Sequence, residues 1–174
     1  MFSFKKSPVV ILSLVVVFIA AFVTSCKEPE PALVSYNIQG NWVSSGSEIY
    51  NITETTFDTG DTAWSYAGDN LVIEPLTYNS GYLYFKYTKA LCETHSDKSD
   101  PNRNNWVYVY DKDAADVGKW YAVYYKDLTE TSVQISGAYR SDESVKSTDT
   151  LEEAKKEFTV ENGYYKFFSE CVRK

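Results

Sequence analysis

From position 35 onward, apolar and polar residues alternate in short runs rich in Val, Ile, Tyr and Trp, and turn-forming residues interrupt the runs about every ten positions. Alternation with period two buries one face of a pleated strand. It predicts strands over residues 38–45, 48–53, 62–67, 71–76, 82–90, 106–111, 119–126 and 132–139. Between them, Ser45-Gly46-Ser47, Thr59-Gly60-Asp61, Ala67-Gly68-Asp69-Asn70 and Asn79-Ser80-Gly81 supply the small and polar residues of tight turns. One stretch breaks the period. Thr150-Leu151-Glu152-Glu153 has the form of a capping box, in which the Thr150 hydroxyl accepts from a first-turn amide and Glu153 reaches back to the Thr150 N–H. Leu151, Ala154 and Phe158 then share one helical stripe, and Asn162-Gly163 marks a stop or hairpin turn before a last strand over 164–169. The predicted order is about eight strands, one helix and one short strand, which describes an all-β antiparallel sandwich or barrel.

Residues 1–25 follow a different pattern. Lys5 and Lys6 precede a nearly continuous apolar run over 9–23, and small residues follow, which is the form of a secretory signal peptide. The run lies near the lower limit of the ~20 residues that cross a bilayer, so a retained transmembrane anchor is the competing reading. Val23-Thr24-Ser25-Cys26 resembles a bacterial lipobox, which implies cleavage before Cys26 and diacylation of its thiol with palmitate-type chains; ordinary signal cleavage is the alternative. Each buried methylene contributes ~0.8 kcal/mol, and two or more chains hold a protein on a membrane stably. The mature chain is then anchored to a membrane of a bacterial cell envelope without spanning it, in the outer membrane or periplasm or at the cell surface. Residues 27–32, Lys-Glu-Pro-Glu-Pro-Ala, form a polyproline-like tether that extends ~3.1 Å per residue. The expected organisation is a signal peptide over 1–25, lipidated Cys26 and tether over 26–35, and one domain over 36–174.

Charge narrows the partners. The chain has 17 Lys+Arg and 24 Asp+Glu, and removing Lys5 and Lys6 with the signal leaves 15 cations against 24 acids, a net charge of −9. Nucleic-acid recognition needs clustered cations, so no nucleic-acid partner is expected. Attraction to anionic lipid is equally disfavoured, which leaves the acyl chains to do the anchoring. Cys92 and Cys171 remain after Cys26 is used, and export permits a disulfide between them. Two free, partly buried thiols are the ordinary alternative.

Gly40-Asn41-Trp42, early in the first predicted strand, resembles the Gly-x-Trp motif of lipocalins. A glycine lets the chain bend closely across a barrel floor, and a tryptophan on the same face plugs that end. The longer pattern, Ile38-Gln39-Gly40-Asn41-Trp42 with Ile52-Thr53-Glu54-Thr55-Thr56-Phe57, Thr150-Leu151-Glu152-Glu153-Ala154 and Asn162-Gly163-Tyr164 near Cys171, looks like small lipocalin-like lipoproteins of spirochaetes. The resemblance implies an up-and-down barrel of about eight strands, with the helix and a short strand at its C-terminal end, which holds one small ligand or is filled by side chains.

Which faces point inward decides the chemistry. Leu71 with Ile73, and Val133 with Ile135, mark core faces, while Val107 and Val109 oppose Trp106, Tyr108 and Tyr110. With the valines inward, Trp106, Tyr108, Tyr110, Tyr82 and Tyr84 form an outer aromatic surface for a host or envelope protein. With the aromatics inward, Trp42, Trp64, Trp106, Tyr108, Tyr110 and Trp120 are the candidate contacts of a small lipophilic ligand. Aromatic residues that merely fill and coat a barrel are the ordinary alternative. The segment 93–105, with the lone histidine His95 and the acids Asp97 and Asp100, reads as a solvated loop rather than a metal site. Asp111, Asp113 and Asp116 lack the spacing of a calcium loop. No Gly-x-Ser-x-Gly, Cys-x-x-Cys or phosphate-binding glycine loop occurs, and Glu152 and Glu153 serve the helix start, so neither a cofactor nor enzymatic activity is expected.

Overall fold

In a computed structural model of the chain, which describes residues 35–60, 65–94, 107–142 and 145–174, every pairing between named strands is antiparallel. The elements run β1 (Gly40–Ser44), β2 (Ile49–Ile52), β3 (Phe57–Asp58), β4 (Ala67–Thr77), β5 (Ser80–Thr94), β6 (Val107–Asp111), β7 (Trp120–Lys126), β8 (Ser132–Gly137), α1 (Leu151–Glu157) and β9 (Ser169–Arg173). Eight of the strands close a ring. β1 to β5 pair in sequence, β5 pairs β7, β7 pairs β8, and β9 bonds both β8 and β1, with Trp42 opposite Arg173 and Ser44 opposite Cys171.

Three features depart from the expected elements. The Ala67-Gly68-Asp69-Asn70 signal does not divide two strands. β4 runs through it with a register shift between Asp69 and Val72, and Asn70 takes a positive φ of 53°. A left-handed asparagine serves a bulge as well as a turn. β6 lies outside the ring: β5 is 15 residues long, its first part bonding β4 and β7 and its last part, Ala90 to Thr94, bonding β6. The final strand is β9, whereas the expected strand over 164–169 is mostly a packed, irregular segment.

Two cores follow from the alternation along β5 and β7. Leu83, Phe85 and Tyr87 point into the ring with Val123 and Tyr125, and Val133, Ile135 and Leu71 join them, as their period-two spacing requires. Tyr82, Tyr84 and Ala122 point outward, yet they are buried beneath Ala154, Phe158, Tyr164 and Tyr165. The outward tyrosines therefore form a second core and not an exposed aromatic surface.

The capping box at Thr150 sets α1 in place: the Thr150 hydroxyl accepts from the Glu153 N–H at 3.2 Å, and the Thr150 N–H donates to Glu153 at 3.1 Å. At the other end the Asn162 amide donates to the Lys156 and Glu157 carbonyls, turning the chain so that Tyr164 and Tyr165 drop onto β5 and β7. Tyr82 completes the joint by accepting from the Val160 N–H at 3.1 Å.

Candidate functional site

The ring has one sealed end and one open end. At the sealed end Trp42 is 0% exposed and its indole N–H donates to the Ile38 carbonyl at 2.8 Å. The Arg173 guanidinium lies 4.1 Å over the Trp42 ring and donates to the carbonyls of Asn37, Gln39 and Glu130. Gly40 makes this possible: its φ is +139°, and a Cβ there would stand 2.4 Å from an Arg173 nitrogen. Leu128, in the turn after β7, is also buried in the core of the ring.

Midway up, the rings of Phe57 and Phe85 stack at 4.7 Å and 9°, both fully buried. Above them Tyr87 stacks on Tyr121 at 4.8 Å, and Tyr66 meets both edge-on at 6.3 and 5.8 Å. The Tyr121 hydroxyl donates to the Ala138 carbonyl at 2.8 Å. Gly137 admits this tier, since a Cβ at that position would lie 2.8 Å from the Tyr121 oxygen and 3.2 Å from that of Tyr66.

Over this aromatic tier the ring is hollow. A cavity of about 700 Å³ opens to solvent, walled by Tyr50, Tyr66, Tyr87, Tyr121, Leu91 and Ile135 and bounded by Glu48, Asp116, Arg140, Lys146 and Lys166. Tyr139 and Phe167, 48% and 70% exposed, pair at 5.8 Å on its lip. Glu48 accepts from the hydroxyls of Tyr50 and Ser169, and Asp116 accepts from that of Ser147 and lies 3.7 Å from Lys119. Burial, with Glu48 close by, raises the Tyr50 hydroxyl far above the usual tyrosine range. The same causes push the Cys171 thiol up to about 12, so both groups are neutral at neutral pH. Among the described residues, no group of three His, Cys, Asp or Glu side chains is placed to hold a metal ion.

The cavity brings together a different set from the aromatic residues singled out in the sequence. Trp42 belongs to the sealed end, and Trp120 lies half-buried on the outer face of β7, with the Lys86 ammonium 5.6 Å from its ring. Tyr108 and Tyr110 sit on the β6 backbone, opposite Glu93 and Leu91 and outside the closed ring. Trp64, Trp106, His95 and Cys26 lie outside the described residues, as do the signal and the tether. Cys171 is a free buried thiol that donates to the Ser169 carbonyl at 3.4 Å, and the side chain of Cys92, its expected partner, lies outside what the structure describes. The tyrosines that wall the cavity were legible as strand residues only. The signal that separates them is Gly137 at the end of β8, which puts no side chain against the Tyr66 and Tyr121 hydroxyls. No protein-family model, curated protein or solved structure matches this chain.

Proposed function

We propose that this chain is a lipid-anchored lipoprotein of a bacterial cell envelope whose barrel holds one small apolar or amphipathic molecule in its open end, and that it does so without catalysis. The observation that supports ligand binding is the hollow itself. A barrel of eight strands is just wide enough for side chains to fill, and here they fill the sealed end and the middle but leave about 700 Å³ at the mouth. That volume lies in the ~300–1,000 Å³ range of small-molecule sites, and aromatic walls with a few hydroxyls and charges are the usual lining. The lipobox sequence ending at Cys26 supports the anchor.

Native mass spectrometry of the purified protein after exposure to a lipophilic extract should show a single bound small molecule. The variant Leu91→Trp, which enlarges a partly buried residue of the cavity wall, should lose that adduct while it keeps a cooperative unfolding transition. Adduct retention by this variant would remove the cavity as the site. In the producing cell, Cys26→Ser should move the protein from the membrane to the soluble fraction or stall its processing, and wild-type fractionation would remove the anchor.

A specific observation favours a second reading, a surface that engages a host or envelope protein: the exposed pair of Tyr139 and Phe167 on the lip.

A further inference from the structure

We infer that two copies of this chain associate through the outer face of β2, β1, β9 and β8, about a two-fold axis that lies along the row Ile49, Val43, Val172 and Ser132. The inference concerns the outside of the wall and stands whether or not the mouth holds a ligand.

The row is set by the register. Val43 lies opposite Ile49 on one side and Val172 on the other, and Val172 lies opposite Ser132. Their strand neighbours Tyr50, Trp42, Ser44, Cys171 and Val133 are buried in the ring, so alternation turns the row itself outward. Val172 is 61% exposed and Ile49 38%, and with Val43 they make one apolar strip of β-branched side chains across three adjacent strands. An open groove of about 520 Å³, bordered by Val43, Ser132, Gln134, Glu170 and Val172, hollows the same face. The outward residues of β5 and β7 are covered by α1 and by Tyr164 and Tyr165. No element among the described residues covers the strip on β2, β1 and β9 in that way.

Charge selects the occupant. Glu170 and Lys174 are exposed, stand two positions to either side of Val172, and make no ion pair among the described residues. The Lys174 N–H donates to the Asn41 carbonyl at 2.9 Å, which continues the β1 to β9 ladder past Arg173. A two-fold axis along the row lays the β9 of one copy antiparallel over that of the other, so Val172 meets Val172, Glu170 meets Lys174 and Lys174 meets Glu170. On β1 and just past its end, the exposed Asn41 and Ser45 exchange places by the same operation, and both are neutral. A partner of one sign would satisfy one of the two charges and repel the other, whereas a second copy satisfies both.

Sedimentation velocity of the full-length protein in detergent solution, over a concentration series, should show a reversible equilibrium between monomer and dimer. Glu170→Lys or Lys174→Glu alone opposes like charges at both symmetric contacts and should weaken the dimer about tenfold. The double exchange Glu170→Lys, Lys174→Glu restores opposite charges and should return the dissociation constant to within a few-fold of the wild type. Val172→Asp, which sets two carboxylates against each other on the axis, should leave monomer alone. These side chains are exposed, and an unchanged thermal midpoint should show that the charge variants are folded. A wild-type protein that stays monomeric throughout the series overturns the inference and leaves the face to another partner. A dimer that none of these variants weakens lies on a different face and overturns it equally. A dimer lost in Val172→Asp and in both single reversals but not restored by the double exchange overturns the antiparallel arrangement about this axis.

Discussion

The two ends of the barrel meet one problem, a ring of eight strands with a centre to be filled, and solve it in opposite ways. At the sealed end one indole occupies the axis, and every polar group near it is used: the Trp42 N–H goes to Ile38, and the Arg173 guanidinium goes to three backbone carbonyls. At the mouth, the strand ends are small or polar. Gly137 ends β8, Ser169 begins β9, and hydroxyls of Tyr50, Tyr66 and Tyr121 stand where a sealed end would place alkyl groups. The difference teaches where this chain concentrates stability and where it leaves room. Packing that excludes water stabilises, whereas a hollow lined with aromatic rings forgoes those contacts and keeps them for something that enters.

The strongest way to break the comparison is to open the sealed end. Trp42→Ala removes a fully buried indole, its hydrogen bond to Ile38 and the ring beneath Arg173. The expected loss is ~3–5 kcal/mol, measured as a lower urea midpoint at unchanged slope. A loss below ~1 kcal/mol would mean that the sealed end is not the barrel's structural anchor.

That asymmetry was only half legible in the sequence. Gly40 and Trp42 announced a floor because a glycine and a tryptophan two positions apart share one strand face. Arg173 did not announce itself: it is one of three arginines, and its place over Trp42 depends on β9 closing the ring. The alternation along β5 correctly separated Leu83 and Phe85 from Tyr82 and Tyr84. It could not show that the outer tyrosines are covered, since their cover arrives from Ala154 to Tyr165, far along the chain. Local signals likewise misplaced the Asp69–Asn70 bulge as a turn and passed over β3, which has two residues and is held by pairing on both sides. The cavity depends on side chains from β2, β5, β7 and β8 and from the segment 166–169 meeting at one height, and no single stretch encodes that.

A second, smaller effect lies between the two ends, where Cys171 sits inside the wall. Its thiol ionises at about 9 in an unfolded chain and at about 12 in the folded one. The unfolded chain therefore loses this proton first as pH rises. The thiol's contribution is fully present below about pH 9 and drains away towards pH 12. Over that window it should steepen the loss of stability by up to about 1.4 kcal/mol per pH unit, on top of the raised tyrosines Tyr50, Tyr82, Tyr84 and Tyr125. Cys171→Ala should show a shallower decline of unfolding free energy with pH than the wild type. Parallel profiles would place the thiol in contact with solvent.

The smallest effect on stability sharpens the comparison most. Tyr139 and Phe167 form the lip and are 48% and 70% exposed, so the double change Tyr139→Ser, Phe167→Ser should cost no more than ~0.5 kcal/mol. Its effect on function separates two uses of the open end. If the hollow below the lip is the binding site, the affinity for a small aromatic probe falls only a few-fold, because the rings that hold the ligand are Tyr87, Tyr121 and Tyr66 further in. If the lip instead grips a protein, the same variant loses that partner while probe affinity stays at the wild-type value. Surface plasmon resonance against the partner and fluorescence titration of the probe, run on one preparation, give the two readouts. A variant that loses both would mean the lip seats the ligand itself and that the aromatic tier below it is packing alone.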